Sequence, residues 1–111
     1  MRTLSTENRE DLANRARAIF RDIDFSGCIT QVSALAHANF SDCVEALSEK
    51  QRRDLKEAVD HIDYSLGMHE RLLNESLSGV NNEELIGQKR NAAKEAMEIE
   101  VMAVFKVWPV F

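Results

Sequence analysis

The chain predicts an all-α fold: a small bundle of about four helices, one of them long, assembled as a dimer. Three observations carry this. One Pro and four Gly interrupt 111 residues, too few for a turn-rich β-sandwich or barrel. Apolar residues return every three or four positions in four separate stretches, the spacing of one helix face. Apolar residues make 44% of the chain and charged residues 30%, the balance of a globular protein rather than a disordered tail. This length suits a single helical domain over 1–111.

The first helix is expected from about Thr6 to Ile23, capped by Ser5 or Thr6, with Glu7 and Glu10 at its positive end. Leu12, Ala16, Ile19, Phe20 and Ile23 form its stripe, flanked by Arg9, Arg15, Arg17 and Arg21. Asp24-Phe25-Ser26-Gly27 reads as a loop. The second helix is expected from about Cys28 to Leu47, on Ile29, Val32, Ala36, Phe40, Cys43 and Leu47. Ser41, followed by Asp42 and Glu45, can cap a new helix, so one bent helix and two short ones both stay open over 28–47.

Ser48-Glu49-Lys50-Gln51 is a capping box. It opens a third helix from Glu49 to about Leu77. Leu55, Val59, Ile62, Leu66, His69 and Leu73 step 4-3-4-3-4 along it, a heptad-like seam that Ala58 and Leu72 widen. Gly79 and Asn81-Asn82 end it. Asn82 caps the fourth helix, with Glu83 and Glu84 in its first turn. Two rows give that helix a broad apolar face: Leu85, Ala92, Ala96, Ile99, Ala103, and Ile86, Ala93, Met97, Val101, Val104, Trp108. Alternation at Ile99, Val101, Ala103 and Phe105 also suits a strand over 99–107. Helix is preferred because the helical rows reach back through an Ala-rich stretch, and Pro109 stops them.

The dimer expectation rests on length and surplus apolar surface. A helix over 49–77 measures ~43 Å, while a compact domain of this size has a radius of gyration of ~13 Å. Such a helix either breaks at Gly67 or packs against a second chain. From Ile99 to Phe111, ten of thirteen residues are apolar, more than three short helices readily cover. The seam Leu55, Val59, Ile62, Leu66, His69 and Leu73 is the candidate dimer interface. Met68, Leu72, Val104, Phe105, Trp108 and Phe111 are the candidate partner surface, since aromatic anchors carry interface energy and Met adapts to irregular surfaces. For each of them core packing is the competing reading.

Several classes are excluded. The net charge is −5 with no basic segment, which argues against direct nucleic-acid binding. The polar stretch after Met1 is not a signal peptide, and Val101–Phe105 is far too short to span a bilayer, so a cytoplasmic protein without membrane contact is expected. Cys28 and Cys43 sit ~22 Å apart if one helix carries both, and free buried thiols are expected. There is no Glu-x-x-His of the kind that builds a di-metal bundle. There is no Gly-rich phosphate loop and no nucleophile signature. The expectation is a protein with no enzymatic activity, no metal and no cofactor.

The run Ile62-Asp63-Tyr64-Ser65-Leu66-Gly67-Met68-His69-Glu70-Arg71-Leu72 resembles a helix of the TraM-type antiactivators of quorum sensing. That helix reads Ile, acid, any, Ser, aliphatic, any, Met-His, two of any, then Met or Leu. Ile62, Asp63, Ser65, Leu66, Met68, His69 and Leu72 match it, about a tenth of the chain. The resemblance implies a helical homodimer that binds a LuxR-type transcription factor and keeps it from dimerising or engaging DNA, as QslA-type antiactivators also do. About 30 residues follow the matched helix here, longer than the TraM pattern. The alternatives are a phage or plasmid inhibitor of another host protein, and a helical carrier of a metal or small molecule.

Overall fold

The computed structural model describes residues 6–109, and side chains from Asn8 onward. Its elements are α1 (Thr6–Asp22), α2 (Phe25–Cys43), a 3₁₀ turn (Val44–Ala46), α3 (Glu49–Leu77) and α4 (Glu83–Lys106). Ser5, the side chains of Thr6 and Glu7, and Phe111 lie outside what is described. No strand occurs among the described residues, and 99–106 is helix.

The corner between α1 and α2 corrects the sequence reading. Asp24 is the N-cap of α2: its side chain accepts from the Gly27 amide at 3.1 Å, so Phe25–Gly27 form the first turn rather than a loop. Gly27 is required there. A Cβ would stand 2.5 Å from Ile23 Cγ2 and 2.6 Å from Asp24 Oδ1. At the other end α2 is one helix to Cys43, and the 3₁₀ turn absorbs the remainder; Ser41 starts nothing new.

α3 begins at the capping box, where the Gln51 amide donates to the Ser48 hydroxyl and the Gln51 side chain accepts from the Ser48 amide. It runs unbroken through Gly67. Gly79, at φ 77°, turns the chain out of the helix in the left-handed conformation that favours glycine. Asn82 then caps α4 by accepting from the Leu85 amide at 3.0 Å.

Each helix packs on its neighbours in chain order and α4 closes back on α1. The bundle is elongated, 51 × 22 × 18 Å, with a radius of gyration of 15.4 Å. The long helix therefore needs no second chain to lie against, because α4 runs back along it. Leu55, Val59, Ile62, Leu66 and Leu73 face Leu12, Phe20, Val32, Ala36, Met97 and Val101 in one buried core. The seam expected at a dimer interface is consumed inside the single chain. Full burial of such side chains stabilises by roughly 1.5–3 kcal/mol each, which is why the seam is filled within the chain.

Candidate functional site

The expected partner surface divides in two. Phe105 and Trp108 are 0% and 1% exposed and belong to the core. The rings stack at a tilt with centroids 5.0 Å apart. The Trp108 indole N–H donates to Asn39 Oδ1 at 3.0 Å, and its carbonyl accepts from the Arg9 guanidinium. These residues cannot present a surface to a partner. Val104 and Met68 are half-buried, and Leu72 is exposed. Those three keep some access.

The residues matching the antiactivator pattern hold the helices together. Ile62 and Leu66 are core. Asp63 bridges α3 to α2, accepting from the Ser33 hydroxyl at 2.7 Å and pairing with His37 Nε2 at 2.6 Å. Ser65 donates to Glu100 of α4 at 2.8 Å, and His69 pairs with the same carboxylate. Those two contacts hold the Glu100 carboxyl below the usual glutamate range, His69 contributing most. His69 is thus paired within the chain and sits at the α3–α4 junction rather than at an intersubunit seam.

Between α3 and α4 lies an open groove of about 640 Å³. Ala58, Met68, Ala103, Val104 and Val107 make its apolar lining, and Asp54, Glu57 and Glu100 supply acidic groups along it, with His61 and Tyr64 beside them. Tyr64, Ile99 and Val107 are 67%, 71% and 73% exposed. With the exposed Ala92, Ala96 and Ala103 they leave apolar side chains uncovered among the charged residues on the outer side of α3 and α4. Sequence reading did not single out Tyr64 and Val107 as exposed apolar residues. For Tyr64 a signal exists: it is an aromatic residue on the polar side of an otherwise amphipathic helix.

The two cysteines are buried and form no disulfide. Burial pushes the Cys28 thiol up, and it donates to the Ile23 carbonyl. Such a thiol stays protonated and is a poor nucleophile. Among the described residues no cluster of three or more His, Cys, Asp or Glu is arranged to hold a metal ion, and no helix is long and apolar enough to cross a membrane. No protein-family model, curated protein or solved structure matches the chain.

Proposed function

We propose that this chain is a non-enzymatic, cytoplasmic regulator, a homodimer when free, that docks on protein through the outer face of α3 and α4. The observation that carries the reading is the exposure of Tyr64 and Val107 at a partly apolar groove, with Ile99 also exposed on α4, in a chain that buries its other large apolar rows in one core. Exposed apolar area of this kind is a mark of interaction surfaces. An open groove along two helices suits an amphipathic helix better than a small molecule, which needs a pocket covering most of its surface. Among the described residues Asp54 pairs with Lys50 and Glu100 with His69, while Glu57 has no ion-pair partner and favours a target with a basic residue beside its apolar patch.

The target we propose is a LuxR-type transcription factor, on the resemblance of the Ile62–Leu72 run. The test is a mobility-shift titration of such a receptor on its DNA. Releasing the receptor at micromolar protein, with Ile99→Asp and Val107→Asp abolishing release while the melting curve is unchanged, supports the reading. Binding no receptor of this class overturns the choice of target. A full effect from the two variants overturns the choice of face.

A further inference from the structure

Four exposed charges on α3 are placed symmetrically about Tyr64, while Asp60 and Lys56 pair with each other. Glu57 lies seven positions before Tyr64 and Arg71 seven after. Arg53 lies eleven before and Glu75 eleven after. All five are exposed. Within each pair the signs are opposite, so α3 is electrostatically complementary to a second α3 running antiparallel across Tyr64. Among the described residues Glu57, Arg71 and Glu75 have no ion-pair partner, and Arg53 has only an exposed contact with Glu49 at 3.7 Å.

α4 is matched to the same centre. The hydrogen bond from Ser65 to Glu100 sets Tyr64 level with about Val101. Two-fold rotation at that level brings Ile99 of one copy to Ala103 of the other, both exposed. Glu100 and Asp63, close to that level, are already compensated by His69 and His37. The stretch from Arg53 to Glu75 is ~33 Å long, and with α4 beside it the face approaches the ~800 Å² per partner of an ordinary interface.

We infer that a second copy of this chain covers the outer α3–α4 face, antiparallel, with the two-fold axis beside Tyr64 and with Glu57–Arg71 and Arg53–Glu75 pairs between subunits. The inference rests on reading this face as a docking surface and names its occupant in the absence of a target; a target using the same face must displace the second copy.

Glu57 and Arg71 stand ~21 Å apart on one helix and cannot meet within a chain, which makes a charge swap decisive. Sedimentation of the intact protein should give a dimer at micromolar concentration. Glu57→Arg alone and Arg71→Glu alone should each weaken it about tenfold by setting like charges together twice per dimer. The double swap should restore it, and circular dichroism should stay helical throughout. Tyr64→Cys should form a covalent dimer under mild oxidation, while Ala34→Cys, on the exposed side of α2, should not. A monomeric wild type, or a dimer indifferent to the single swaps, overturns the inference. A rescued dimer that binds no transcription factor sinks the choice of target alone, and a monomer that binds one sinks the dimer alone.

Discussion

The end of α4 and the two residues after it hold two sets of large apolar residues with opposite fates. Phe105 and Trp108 are sealed in the core, while Ile99 and Val107 stand open to solvent. Hydropathy does not separate them. What separates them is the position of the other helices, and the polar groups those helices supply. Trp108 enters the core because α2 offers Asn39 to its indole N–H and α1 offers Arg9 to its carbonyl. Ile99 and Val107 point where the chain places no helix. A residue's chance of serving an interface is therefore set by what its own fold leaves uncovered.

The sharpest way to break this comparison is Trp108→Ala. If Trp108 is core, the substitution should cost about 3–5 kcal/mol in denaturant unfolding. Stability unchanged by it would return the residue to the surface. Asn39→Ala should come next, at about 1–3 kcal/mol, because the indole N–H is left buried without an acceptor. Its cost should fall below that of Trp108→Ala, since Asn39 already carries an amide nitrogen with no partner, and removing that group offsets part of the loss. A cost equal to the Trp108 variant would mean that the hydrogen bond, and not the packed ring, holds this corner.

Much of the fold was legible in the sequence. The Ser48–Gln51 box, Gly79 and Asn82 fix both ends of α3 and the start of α4 locally, so those boundaries needed no tertiary information. The α1–α2 corner was not legible, because a four-residue Asp-Phe-Ser-Gly stretch reads as a loop unless Asp24 is recognised as a cap. The site was harder. The α3 seam is visible as an apolar stripe, but a stripe does not say whether the chain itself or a second chain covers it. The same ambiguity placed Phe105 and Trp108 on the surface. His69 reads as one more step of the seam, but its partner Glu100 lies 31 residues away and no local pattern points to it.

A smaller effect is expected from acid. The Glu100 carboxyl is held below its ordinary range by hydrogen bonds from His69 and Ser65. A lowered native value means the contribution is complete above the unfolded glutamate range and is lost as pH falls through the native value. The group is partly exposed, so the loss should stay under about 1 kcal/mol. Glu100→Gln keeps an acceptor for Ser65 but removes the charge. It should lower stability at neutral pH by that same small amount, flatten stability against pH below the glutamate range, and match the parent chain in acid, where the parent carboxyl is protonated too. An unchanged acid limb in the variant would show that Glu100 is not the group responsible, and that the α3–α4 junction does not depend on its charge.

The smallest effect on stability, and the most telling, is expected from Ile99→Ser. Ile99 is 71% exposed, so folding removes little of its surface from water and the unfolding free energy should move by no more than about 0.5 kcal/mol. Its effect should appear only when a second molecule covers it. Losing a buried apolar side chain at the centre of an interface then weakens association while the isolated subunit melts as before. That separation is what Trp108→Ala cannot give, since unfolding the chain removes every surface at once. If Ile99→Ser lowers the melting curve as a core substitution would, the outer side of α4 is not free surface and the contrast with Trp108 collapses. If it changes neither melting nor sedimentation nor target binding, α4 contributes nothing to docking and the face narrows to α3 around Tyr64.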